Sequence, residues 1–232
     1  MSIPVPRSRA ELSILAALVA AWLLAPSPSL ASAAGRIEGR VTISVPVSAA
    51  PPSAAYGSRR LAPAPAPQSE VTNVIVFVKD APAPASVAPM RASIAQENET
   101  FVPHVVAITS GSTVEFPNGD PFFHDVFSLS RGGSFDLGSY PKGRSKSERF
   151  PRPGLIKVYC HLHSHMTASI MVFDHPYFAV PAADGSFTID DVPSGTFTVT
   201  AWHERIGDNS QRVTVEAGHA AALQFALPIT SK

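Results

Sequence analysis

The stretch that most constrains this chain is residues 157–171, K-V-Y-C-H-L-H-S-H-M-T-A-S-I-M. It holds the only cysteine, three of the eight histidines and two of the four methionines. Just before it, Ile156, Val158 and Cys160 alternate with Leu155, Lys157 and Tyr159. A period of two predicts a strand whose inward face ends at Cys160. Residues 168–173 predict a second strand. The chain must therefore place Cys160, His163 and Met166, at spacing C-x2-H-x2-M, on a short polar loop between two strands.

A thiolate, an imidazole and a thioether on one loop form a soft ligand set. Two histidines and one cysteine in a trigonal array, with a weak axial methionine, suit copper. One further histidine is needed, from the end of an upstream strand. His124, in F-P-N-G-D-P-F-F-H-D-V-F-S, lies 36 residues before Cys160. Residues 113–117 predict the strand before it and residues 126–130 the strand after it. Asn118, Gly119, Asp120 and Pro121 supply the turn chemistry between. Taken singly, each residue has a plainer reading: a lone cysteine is a small buried hydrophobe, a methionine packs, and a loop histidine is solvated. All four together, in this order and between strand patterns, point to copper.

Residues 92–173 resemble the cupredoxins, the plastocyanin and amicyanin family of small blue copper proteins. The tight C-x2-H-x2-M spacing looks most like amicyanin. The resemblance implies a Greek-key β-sandwich with one copper per chain, held by His124, Cys160, His163 and Met166. His161 and His165 compete with His163 as the loop histidine. The side chain of His161 should point the other way, and His165 would leave Met166 badly placed. The resemblance also implies an exposed His163 edge among Leu162, Phe122 and Phe123, through which an electron leaves. One departure is Asp125, where the family often carries asparagine. A carboxylate does not donate unless protonated, so an ionised Asp125 lacks the donor for the usual cross-link from that position to the cysteine strand. Asn118 is the expected substitute support.

Compartment follows from the N-terminus and the thiol count. Arg7 and Arg9 precede a mostly apolar run over residues 12–25, and Ala31-Ser32-Ala33 supplies small residues for cleavage. This predicts a secretory signal over residues 1–33, an apolar run too short to span a bilayer, and a periplasmic or secreted mature chain without stable membrane insertion. One cysteine excludes an intramolecular disulfide framework. A thiol exported to an oxidising compartment is a liability that a copper thiolate removes. Lysine plus arginine and aspartate plus glutamate both number 18, so no strong field marks the chain for nucleic acid.

The rest of the chain also reads as strands. Residues 35–44 alternate. Residues 47–68 are rich in proline and alanine and have no means of forming a core. Residues 71–79 are apolar on both faces and predict a central strand. From residue 177 onward, D-G-S-F-T-I-D-D-V-P-S-G-T-F-T-V-T-A-W-H-E and two later strand patterns resemble the carboxypeptidase-regulatory-like domain, a small transthyretin-like sandwich. That resemblance implies a fold that is all-β throughout. Residues 35–80 and 176–229 would make one sandwich, and the cupredoxin of residues 92–174 would be inserted between them. Two consecutive domains are the alternative. Trp202 and His203 are read either as a second ligand point or, more plainly, as a core tryptophan with a surface histidine, and His104, His175 and His219 are read in the same two ways. Lys142, Arg144, Lys146, Arg149 and Arg152 are read either as a docking patch or as a solvated hairpin.

The function implied is a blue copper carrier of single electrons rather than an enzyme, exchanging with a redox protein such as a c-type cytochrome or an oxidoreductase. Copper storage, delivery or sensing is the rival, favoured by the extra His161 and His165. A scaffold module with a structural copper is the third reading.

Overall fold

The structure, a computed structural model, describes residues 34–43 and 69–227. The predicted signal and the Pro/Ala-rich segment at 47–68 lie outside the described residues. The described chain is all-β apart from one 3-10 turn, Glu70–Asn73. In order the strands are β1 (Gly35–Ile43), β2 (Val74–Val78), β3 (Arg91–Ser93), β4 (Ala95–Glu97), β5 (Thr100–Val102) and β6 (Val105–Thr109). Then come β7 (Ser112–Pro117), β8 (His124–Ser128), β9 (Phe135–Tyr140), β10 (Ser145–Phe150), β11 (Gly154–Cys160) and β12 (Thr167–Phe173). The last five are β13 (Phe178–Ala179), β14 (Ser186–Val192), β15 (Gly195–His203), β16 (Gly207–Val215) and β17 (Ala220–Leu227).

Two sheets enclose the core around the cysteine strand. One has the order β6-β12-β11-β8-β9 and the other β10-β7-β3. Their alternating patterns explain the packing. Val114 and Phe116 of β7 point inward, as do Val126 of β8 and Ile156, Val158 and Cys160 of β11, and all join one buried cluster. The parallel pairing of β12 with β6 and of β3 with β7 requires crossover connections rather than hairpins.

A second pair of sheets has the orders β14-β1-β17 and β13-β2-β15-β16. Its core includes Ile37, Val76, Phe187, Val199 and Phe225. Strands from both ends of the described chain build it: β1 pairs parallel with β17 and antiparallel with β14, and β2 pairs with β13 and β15. The strand expected over residues 71–79 begins only at Val74. Thr72 Oγ1 donates to the Ser69 carbonyl at 2.7 Å and Asn73 Nδ2 to Glu70 at 3.0 Å. These local bonds compete with a ladder and favour the 3-10 turn.

The two sandwiches share a third apolar layer. Val105, Ala107 and Phe173, on the outer face of β6 and β12, meet Ile75 of β2, with Phe77, Met171, Phe178 and Trp202 packed around them. This explains why every residue of β6 is buried. A polar clasp sits beside the layer. Glu204 accepts from Ser169 Oγ at 2.6 Å and from His104 Nε2 at 3.1 Å, and also pairs with Lys157. The hydrogen bond from His104, with those from Lys157 and Ser169, holds the Glu204 carboxyl well below the usual carboxylate range despite burial.

Candidate metal centre

Strand register assembles the site. Cys160 closes β11 and pairs with Val126 of β8, and His124 opens β8 two residues earlier. Period-two alternation puts His124, Val126 and Cys160 on one face, toward the core. After Cys160 the chain turns, and the Met166 N–H donates to the His163 carbonyl at 3.0 Å. This turn folds His163 and Met166 back over the mouth of the sandwich. His124, Cys160, His163 and Met166 are all buried.

Three candidate ligand atoms form a tight triangle. His124 Nδ1 and His163 Nδ1 are 3.1 Å apart, and each lies 3.7 Å from Cys160 Sγ. Donors this close together could all bind a single metal ion, and His124, Cys160 and His163 are the residues that would hold it. The donors therefore fit a trigonal metal site. Met166 belongs to the same buried cluster as Cys160.

The far nitrogen of each histidine faces a carboxylate. His124 Nε2 donates to Asp120 Oδ2 at 2.9 Å, which fixes the tautomer that leaves Nδ1 directed at the sulfur. Asp120 also accepts the backbone N–H of Asn98 at 2.6 Å and of Glu99 at 3.0 Å. Asn98 and Glu99 are the corner of the β4–β5 hairpin, both at φ 55°. Two positive φ values define the turn that favours glycine at its second corner. Glu99 occupies that corner at a cost of about 1 kcal/mol. Its side chain is nearly buried, with Oε1 3.9 Å from His163 Nε2 and Oε2 3.4 Å from His165 Nε2.

These contacts set the charges. Burial pushes the imidazole of His124 toward neutrality, but the Asp120 hydrogen bond and the Cys160 sulfur outweigh it and raise the pKa to about 9. Burial likewise pushes the Cys160 thiol up, but hydrogen bonds from His124 and from the backbone at Asp125, Leu162 and His163 bring it below its ordinary value. Each group thus favours the charged form of the other.

The structure corrects the expectation for His163 and agrees with that for His161. His163 does not present an exposed edge: it is 6% exposed, because the β4–β5 hairpin brings Glu99 over it and Phe122 packs at 5.4 Å between ring centroids. His161 points outward, 48% exposed, and stacks on Phe127 at 3.6 Å. Asn118 supports the loop, but from beneath it: Nδ2 donates to the Phe122 and Tyr140 carbonyls and Oδ1 accepts the Asp120 N–H. At the departure from the family pattern, Asp125 Oδ1 is buried without a partner, and the link to the cysteine strand runs through the backbone, from His161 N–H to the Asp125 carbonyl at 3.0 Å.

The expected surface position of His203 is not found. His203 is buried, with Nε2 3.3 Å from Glu70 and Nδ1 accepting the N–H groups of Arg205 and Ile206. Trp202 is half-buried in the layer between the sandwiches. His175 is buried and accepts the Tyr177 N–H, and His219 contacts the Ala217 carbonyl. In the basic run, Lys146 bonds the Leu137 carbonyl and lies 5.2 Å from the Tyr140 ring centroid, and Arg149 bonds Gly111. These two are therefore partly engaged within the fold. Sequence reasoning passed over Asp120 and Glu99. Asp120 carried a hint, four residues before His124 in the same turn; Glu99 carried none without knowledge that its hairpin covers the site.

No helix among the described residues is long and apolar enough to cross a membrane. The family model that matches residues 173–223 is that of polysaccharide lyase family 4, domain II, not the carboxypeptidase-regulatory-like domain expected from the sequence. No curated protein matches the chain. Among solved structures, a copper-containing nitrite reductase from Thermus scotoductus is 26% identical over 40% of this chain and 24% of its own, with a TM-score of 0.35. This chain thus spans about a quarter of that protein's length. A purple cupredoxin from Nitrosopumilus maritimus is 23% identical over 35% of this chain and 99% of its own, with a TM-score of 0.33. Amicyanin from Paracoccus versutus is 22% identical over 42% of this chain and 97% of its own, also with a TM-score of 0.33.

Proposed function

We propose that this chain is a copper protein that carries single electrons, with His124, Cys160, His163 and Met166 as the ligands of one copper ion. The observation that carries the reading is the buried triangle of two imidazole nitrogens and one cysteine sulfur, with a buried methionine in the same cluster. This donor set, softer than the oxygen ligands that magnesium or calcium prefer, suits copper. When bound, copper supplies a reversible one-electron couple. The protein's part is to hold the donors still: His124 and Cys160 come from paired strands, and His163 from a turn closed by the Met166 N–H. A donor set fixed by the fold changes little between the two oxidation states, which keeps exchange fast.

On this reading the chain is a carrier rather than an enzyme, and its partner is another redox protein such as a c-type cytochrome. Phe123 and Leu162, both exposed, flank the ligands on their two loops and give the partner an apolar contact. Because Glu99 covers the His163 edge, the electron passes through this rim. We also read residues 1–33 as an export signal, and residues 92–174 as an insertion into the sandwich built from residues 35–80 and 176–229. A visible spectrum and a voltammogram of the copper-loaded chain test the function. An intense blue band with a reversible couple supports the carrier.

Copper delivery is the second reading, and one observation favours it. His161 and His165 both flank the buried triangle and are partly exposed. They could hand copper inward. A blue band without a reversible couple, together with copper transfer to an apo-acceptor, would establish delivery.

A further inference from the structure

The least expected feature of the centre is a carboxylate behind each candidate histidine ligand. We propose that Asp120 and Glu99 form an anionic shell that favours the oxidised, more positive state of the site and so lowers its reduction potential; this rests on the copper reading above. Asp120 lies 2.9 Å from His124 Nε2 and is buried. Glu99, also nearly buried, lies 3.9 Å from His163 Nε2. A carboxylate on the far nitrogen makes an imidazole a stronger donor. In a poorly solvated site its charge is felt more strongly than in water. Copper(II) carries one more positive charge than copper(I), so two such groups strengthen copper(II) binding more than copper(I) binding.

Asp120 has a second role in the same device. Its carboxylate accepts the N–H groups of both corner residues of the β4–β5 hairpin, which orients the Glu99 side chain toward His163. One buried residue thus positions its own charge and that of Glu99. Glu99 stands at a positive φ where glycine is at ease, and a strained residue at a site is a pointer to use. Asp120 is a positioning residue, not a ligand.

The test compares the full chain with Asp120→Asn and Glu99→Gln, measuring copper(II) and copper(I) affinities separately by competition with chelators. Asp120→Asn should weaken copper(II) binding about 10- to 100-fold while copper(I) binding changes much less. The ratio of the two affinities should fall at least tenfold, a rise of about 59 mV in the one-electron potential. Glu99→Gln should move the ratio the same way by at least about threefold, and decides the matter alone if Asp120→Asn does not fold. Equal losses for both oxidation states, leaving the ratio unchanged, would mean that the carboxylates only support the loops and would overturn the proposal. In that case a blue wild-type protein would leave the copper assignment standing. A wild-type chain without the blue band would remove both.

Discussion

The apparent affinity for copper(II) should rise steeply with pH between about 7 and 9. In the metal-free chain, His124 holds its proton up to a pKa of about 9, because Asp120 and Cys160 outweigh its burial. Metal and proton compete for the Nδ1 that faces Cys160 Sγ at 3.7 Å. At pH 7 that imidazole is about 99% protonated, and each bound metal must release this proton. Apparent affinity should therefore climb about tenfold per pH unit, roughly 100-fold in all, and level off above pH 9. The same shift acts on folding, with an opposite sign. A raised folded-state pKa stabilises the metal-free chain fully below the ordinary imidazole value of 6.5, and this stability is lost as pH rises through 9. The shift corresponds to about 3 kcal/mol. Competition titrations with a chelator at each pH, beside urea denaturation of the metal-free chain, measure both. Affinity flat between pH 7 and 9, after correction for the chelator's own protonation, would refute a protonated His124 in the metal-free chain.

Met166→Gln should retain copper but shift the potential downward, since an axial thioether tunes the couple more than it binds; voltammetry reads the shift, and an unchanged potential would reduce Met166 to packing. Glu204→Ala removes the acceptor shared by Lys157, Ser169 and His104 between the sandwiches. With about a quarter of these side chains exposed, the loss should be about 2 kcal/mol rather than the full cost of a buried pair, or about 4–8 °C in Tm. Because the folded pKa of Glu204 is depressed, the clasp's contribution is present above the usual carboxylate pKa and fades as pH falls below it; a Tm gap between wild type and variant that grows on acidification would contradict this. Leu162→Glu should slow reduction by a cytochrome-type partner without altering the spectrum, whereas a small inorganic reductant should be unaffected; equal slowing by both reductants would point to a disturbed site instead.

Much of this was legible in local pattern. The alternation of Ile156, Val158 and Cys160 placed the cysteine at the inward end of a strand, where it lies. His124 was found from its position after a turn and before an apolar strand. The same parity rule could have placed His203 correctly. Phe197, Val199, Ala201 and His203 share the core face of β15, which puts Trp202 on the opposite face. A preference for tryptophan inside and histidine outside overrode the period, and the covering of Trp202 by the other sandwich was not visible locally. The burial of His163 was not legible either. It depends on a hairpin more than 60 residues upstream (Glu99 to His163) folding over the loop, fixed there by hydrogen bonds from two backbone N–H groups to Asp120. Backbone N–H groups leave no trace in residue type. The break of β2 at Val74 reflects side-chain bonds of Thr72 and Asn73 that β-favouring neighbours had masked.

The most direct measurement is the visible spectrum of the purified chain titrated with copper(II), beside Cys160→Ser. The account predicts an intense blue charge-transfer band that saturates at one copper per chain and is absent from the serine variant. A copper complex lacking that band in the wild type, or a band that survives the loss of the only thiol, would contradict it.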